Sequence, residues 1–168
     1  MVAERYRTGL KRLQAAIVDG ILFSPFLVVD RWIANSTVGD YVIIGWETFT
    51  IFIPIFYSII SHYKFGQTLG KWVAGVKVLD ISETRNITLR QSFFRDGFYL
   101  LVELAGFFYY LTLVLLTGET GYLLINFNSF ANTPFFIWTL FELITLLTNN
   151  KRRAIHDFLA KSVVIRTE

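Results

Sequence analysis

The 168-residue chain is 54% hydrophobic and 17% aromatic, with 17% charged residues, a formal net charge of +3 and no cysteine. That is too apolar for an ordinary soluble domain of this size and points to a membrane protein. Zero Cys excludes disulfides, thiol nucleophiles and Cys-based metal sites, and the basic residues fall in clusters between apolar runs rather than along one surface, which argues against a nucleic-acid partner.

A hydrocarbon core about 30 Å thick needs about 20 helical residues. The sequence offers four such runs, at about 13–34, 41–61, 96–116 and 122–148. They predict an all-α membrane protein with four transmembrane helices, forming a single domain over 1–168 with a loop at 62–95 and a tail at 149–168. Pro25 and Pro54 sit inside the first two runs, where neighbouring helices can re-satisfy the freed backbone groups. The fourth run is interrupted by Asn126, Asn128 and Asn132. Thr133 followed by Pro134 makes an N-cap and first-turn pair, so an alternative fourth helix starts there and leaves 118–132 as an outer loop or re-entrant piece.

Charge sets the orientation. Arg5, Arg7, Lys11 and Arg12 precede the first run. Lys64, Lys71, Lys77, Arg85, Arg90 and Arg95 lie between the second and third, and Lys151, Arg152, Arg153, Lys161 and Arg166 follow the fourth. Fifteen of the sixteen Lys and Arg residues thus fall on one side, leaving Arg31 for the other. The positive-inside rule makes both termini and the 62–95 loop cytoplasmic, in a multi-pass protein of the plasma membrane. The first run is too long for a signal peptide, contains Asp19 and lacks an A-x-A-like cleavage site, so it is read as a retained span.

The 62–95 loop opens with "FGQTLGKWVAGVKVLD", where Leu69, Trp72, Val73 and Val76 recur at helical spacing beside Lys71 and Lys77, as in a short helix at the membrane surface. "VKVLDISETRNITLRQ" alternates around a polar turn, which suggests two short strands or a hairpin, and Thr88 with Gln91 forms a capping box for the third span. In the tail, Ile155, Phe158 and Leu159 keep helical spacing before a β-prone "SVVI", which could pair with "VKVLD" and build a small cap.

Three local patterns together resemble one family. "LKRLQAAIVDGIL" places an arginine seven residues before an aspartate, "FGQTLGKWVAGVKVLD" is similar to G-x-T-x-G-K-x-x-x-G-x-x-V, and "RRAIHDFLAKSVVI" to H-D-x-L-A-x-T/S-x-V-V. In this order and spacing they resemble the RDD family of bacterial and archaeal membrane proteins, named for an Arg-Asp-Asp set. The resemblance covers nearly the whole chain and implies Arg12, Asp19 and Asp157 as that set, with Gly66, Thr68, Gly70, Lys71 and Gly75 as the loop motif. Phe158 and Lys161 depart from the usual ending. Some members of the family are linked to cation/proton antiport, and others look like accessory membrane proteins.

A charge at a helix centre costs about 2.5–3.5 kcal/mol or more, so intramembrane carboxylates pair, face the bundle or serve transport. At 1.5 Å per residue, Asp19 lies about 10 Å above Arg12, Glu103 about 12 Å above Arg95 and Glu142 about 14 Å above Lys151. Three helices thus offer a carboxylate at nearly one level, which suits a proton/cation relay of Asp19, Glu103 and Glu142 with monovalent cations and protons as ligands. Glu47, about 25 Å above Lys64, belongs to the outer mouth. The structural alternative is that Asp19 pairs with Arg12, Arg95 or Arg153, and that Asp157 holds Arg12 or a helix terminus.

Other chemistry has little support. His62 and His156 lack metal-ligand spacing. Ser24, Ser58 and Ser61 have no neighbouring base that would suggest an intramembrane hydrolase, and "GQTLGKW" lacks the order of a phosphate loop. No enzymatic activity, metal or cofactor is expected. Two functions remain: exchange of protons for monovalent cations, or a non-transporting module that binds a partner membrane protein or lipid headgroups of the bilayer. The chain lacks the inverted repeat of many transporters, which a homo-oligomer or a partner would have to supply.

Overall fold

The apolar runs become four long helices. In a computed structural model, which describes the backbone of residues 4–118 and 121–167, these are α1 (Gly9–Ala34), α2 (Asp40–Phe65), α4 (Leu89–Thr117) and α5 (Gly121–Thr148). Two short helices, α3 (Leu69–Val73) and α6 (Ile155–Leu159), and two strands, β1 (Val76–Asp80) and β2 (Ser162–Arg166), complete the fold. Among the described residues, Glu4–Ile33, Asp40–Phe65 and Leu89–Thr117 are long and apolar enough to cross a membrane. The molecule is mostly helical, as expected of an all-α membrane fold.

The alternative fourth helix beginning at Thr133 is not adopted. The backbone of α5 is continuous from Gly121, and Pro134 lies in its interior. A proline there removes one ladder hydrogen bond, which apolar helices accommodate when neighbours re-satisfy the carbonyl. Residues 119 and 120 and the side chains of Asn126 and Asn128 lie outside the described residues; Asn132 is exposed.

α2 packs along α4, and α4 along α5. Phe98 of α4 stacks on Trp138 of α5 at 3.9 Å between ring centroids, and Phe52 of α2 meets Phe107 of α4 edge-on. Ser92 lets the helices close, its hydroxyl donating to the Ile59 carbonyl at 2.8 Å. α1 differs, for its broad contact is with α3 rather than with the long helices. It leans on the bundle chiefly at the end that carries the basic clusters, called the basic end below, and clefts remain along its sides.

At the basic end β1 and β2 pair antiparallel, with Val76 opposite Arg166 and Asp80 opposite Ser162. Val76, Val78 and Val164 pack with Ala15, Ala74 and Ile87 into a fully apolar core, which ties loop and tail into one cap. The expected hairpin within residues 76–91 does not form. Past Asp80 the chain turns, Ser82 donating its N–H to Asp80 Oδ1 at 3.0 Å, and only an isolated Leu79–Asn86 bridge follows before Thr88 caps α4 with Gln91 in a capping box. No residues are left for a second strand, so the C-terminal segment supplies it. Val76, read with the helix, belongs to the strand because Gly75 turns the chain at φ +65°.

Candidate functional site

Asp19 sits nearly three turns into α1 and points at the start of α3. Its Oδ2 accepts the Thr68 hydroxyl at 2.6 Å, and its Oδ1 accepts the Gly70 N–H at 2.8 Å and the Tyr57 hydroxyl at 3.1 Å. Tyr57 in turn accepts the Leu69 N–H at 2.7 Å. A short helix leaves its first N–H groups without intrahelical partners, and here the Asp19 carboxylate takes that of Gly70, the Tyr57 hydroxyl that of Leu69 and the Thr68 hydroxyl that of Lys71. The approach needs glycine: a Cβ on Gly70 would stand 2.1 Å from the Ala15 carbonyl oxygen. Gly66, at φ +73°, ends α2, and a Cβ there would stand 2.9 Å from the Val78 carbonyl.

Asp157, on α6, is fully buried and held between two guanidiniums. Arg12 Nη1 donates to its Oδ2 at 2.7 Å, while Arg12 Nη2 reaches the Arg152 carbonyl at 3.0 Å. Arg95 Nη1 donates to its Oδ1 and to Ser162 Oγ, and Arg95 Nη2 lies 2.9 Å from His156 Nε2. His156 Nδ1 bonds Glu142, which also accepts the Trp138 indole N–H at 2.7 Å. Burial alone would raise the Asp157 carboxyl, but the charges of Arg12 and Arg95 outweigh it and hold the group well below the usual carboxylate range.

Between these anchors lies a third cluster, on α2 and α4. Ser58 Oγ donates to Asp96 Oδ1 at 3.2 Å and lies 3.3 Å from His62 Nδ1, which is 3.5 Å from Asp96 Oδ2. Ser58 therefore does have a base and an acid beside it, because i and i+4 share a helix face and the packing of α4 brings Asp96. Serine and aspartate approach the same ring nitrogen, however, so the imidazole cannot take the serine proton on one nitrogen while the aspartate holds the other, as a hydrolytic triad requires. His62 Nε2, Asp96 Oδ2 and Glu103 Oε2 are buried without a hydrogen-bond partner among the described residues.

Two cavities meet at this cluster. One, of about 710 Å³, opens at the basic end between α1 and α5 and is lined by Arg12, Asp19, Lys71, Arg95, Glu142 and His156 among others. The other, of about 740 Å³, lies further along the bundle and presents Asp30, Arg31, Glu47 and Glu103. Ser58, Asp96 and Tyr99 line both. Three carboxylates, Asp19, Asp96 and Glu142, and three cations, Arg12, Lys71 and Arg95, line the basic-end cavity, while Asp157 stands behind the two arginines it pairs with. No group of three or more His, Asp or Glu side chains suited to a metal ion occurs among the described residues.

The Arg12, Asp19 and Asp157 set thus divides. Arg12 meets Asp157, whereas Asp19 meets the Thr68–Gly70 stretch, and no hydrogen bond or ion pair joins it to Arg12 among the described residues. Gly75 turns the chain into β1. The three carboxylates read as one level do not share one cavity: Asp19 and Glu142 line the first and Glu103 the second, with Glu47. Rise along each helix gives depth but not the side faced. Sequence reasoning missed Asp96 and weighed Arg95 as a boundary marker and a partner of Asp19 rather than of Asp157; the adjacent Arg-Asp pair entering an apolar run was the available signal.

A family model described as the RDD family matches residues 6–161. Comparison with curated proteins and with solved structures returns no match.

Proposed function

The chain belongs to the RDD family, and on that premise we propose that it is a four-span protein of the cell membrane that exchanges protons for monovalent cations. The observation that carries this reading is the meeting of two cavities at Ser58, Asp96 and Tyr99. A carboxylate reachable from both sides of a bundle can take a proton or a cation from one side and release it to the other, provided the two openings alternate. Asp96 is the carrier in this scheme, Glu103 and Glu47 line the approach from the far side, and Asp19 and Glu142 hold the cap that bounds the basic-end cavity.

α5, with 28 residues, has a length of about 42 Å and is the fourth crossing. The basic residues at one end of the bundle support cytoplasmic termini. A second reading, a module that rests on lipid or a partner, draws on the exposed apolar residues of α3, where Trp72 is 64% exposed beside Leu69 and Val73.

The test is reconstitution in vesicles with an imposed pH gradient, followed by addition of sodium, potassium or lithium. Cation-dependent dissipation abolished in Asp96→Asn and reduced in Glu103→Gln is the expected result. Dissipation absent in the wild type, or unchanged in both variants, rejects the exchange reading, and a stoichiometric co-purifying membrane protein favours the second.

A further inference from the structure

The Lys71 side chain takes no part in the anchoring of α3. Thr68 and Gly70 are committed to Asp19 and Leu69 to Tyr57. The Lys71 side chain lines the basic-end cavity, and no hydrogen bond or ion pair reaches its ammonium among the described residues. It is faced by Arg12 and Asp19 from α1, by His62 from α2 and by Arg95 and Asp96 from α4. Glu142 of α5 and His156 of α6 complete the wall. Most of these are already engaged: both arginines with Asp157, Glu142 with His156, and Asp19 with three donors. Asp96 Oδ2, 3.5 Å from His62 Nδ1, and His62 Nε2 have no hydrogen-bond partner among the described residues, and His62 is 1% exposed.

We propose that Lys71 is a tethered counter-cation, its ammonium competing with a monovalent metal cation for Asp96, so that a cation occupies the basic-end cavity only when Lys71 gives up its proton. The inference rests on the exchange reading and names the group that couples the two ions. In the step, Lys71 releases one proton to cavity water, its electron pair stays on Nζ, and one cation takes the vacated charge beside Asp96 Oδ2. The charge of the cavity is unchanged, which makes the exchange one for one. Burial pushes the Lys71 ammonium down to about 8, so the proton leaves within reach of physiological pH. Asp96 is the contested carboxylate because Asp19 already accepts three hydrogen bonds.

The test measures binding apart from flux. The thermal midpoint of the detergent-purified protein is followed against sodium, lithium or potassium chloride, with choline chloride as the control, at pH 6 and pH 9, and converted to an apparent Kd. Competition with a group that titrates near 8 predicts binding about 100-fold weaker at pH 6 than at pH 9 in the wild type. Lys71→Gln should bind at both pH values with less than a threefold difference, and Lys71→Arg, charged throughout, should bind weakly at both. At pH 7 in weak buffer, the wild type should release about one proton per cation bound. A hundredfold pH dependence retained in Lys71→Gln, tight binding by Lys71→Arg at pH 9, or cation binding without proton release overturns the assignment while exchange itself stands. If Lys71→Gln does not fold, Lys71→Arg and proton release decide. Neither binding nor flux in the wild type rejects the exchange reading together with this one.

Discussion

Gly70 lies directly on the backbone of α1, where a Cβ would stand 2.1 Å from the Ala15 carbonyl oxygen and 2.8 Å from the Asp19 carboxyl. The G-x-T-x-G-K stretch and the aspartate of the first apolar helix are therefore one structural unit, since a side chain at 70 would hold the N–H groups of α3 out of reach of Asp19.

Gly70→Ala should destabilise the protein by about 1–3 kcal/mol or more, because both obstructing atoms belong to packed groups that cannot swing aside. Gly20→Ala, one residue past Asp19 with nothing within 4 Å of the added methyl, should instead be neutral or gain about 0.5–1 kcal/mol from helix propensity. Thermal midpoints of the two variants in one detergent check both; equal shifts would contradict the contact.

The division of the Arg-Asp-Asp set predicts a pattern of couplings. Removing one partner of the buried Arg12–Asp157 pair should cost about 3–5 kcal/mol, and a double-mutant cycle of Arg12→Gln with Asp157→Asn should show strong non-additivity. A cycle of Arg12→Gln with Asp19→Asn should be additive within about 0.5 kcal/mol, since the two residues share no hydrogen-bond partner among those described. Denaturation midpoints of the wild type and the five variants measure both terms, and a large coupling between Arg12 and Asp19 would show that the set acts as one network.

Much of this arrangement was legible in the chain. The apolar runs gave the long helices to within a few residues except at α4, where the capping box at Thr88 lies eight residues before the apolar run begins. The valine-rich segments paired because each alternates apolar residues that only the other can cover. What escaped was azimuth. Counting residues placed Asp19, Glu103 and Glu142 at one depth, but the cavity each faces depends on how α1 leans and on the insertion of α3 and α6 into the bundle's end. Asp96 escaped for a related reason: its partners Ser58 and His62 are 38 and 34 positions away, on a helix whose facing is fixed only by packing.

Acid should act through Asp157. Its folded-state pKa is depressed, so the stabilisation it contributes is fully present above the unfolded value of about 3.9 and is lost as pH falls through the lower folded value. Between pH 7 and about pH 4 this group should leave stability unchanged, and below that it should contribute a steep loss. Asp157→Asn should be less stable at pH 7 and should lack that part of the acid transition. A pH series of thermal midpoints for the two proteins provides the check, and parallel profiles would reject the assignment.

Glu83 anchors a second ion-pair network at the basic end, and salt should separate it from the first. Its Oε2 lies 3.1 Å from Arg5, and its Oε1 accepts from Lys151 and from Tyr6 at 2.7 Å. The arginine and lysine side chains are 49% and 42% exposed, whereas Asp157 is fully buried. Exposed pairs contribute about 0–1 kcal/mol, and at 1 M salt the screening length falls to about 3 Å. Glu83→Gln should therefore lower stability by less than about 1 kcal/mol in dilute buffer, and the difference should vanish in 1 M sodium chloride. The loss in Asp157→Asn should persist at the same salt, since water and ions do not reach the carboxylate between Arg12 and Arg95. If both losses respond equally to salt, the Asp157 site is open to solvent and the cap is not the closed structure described.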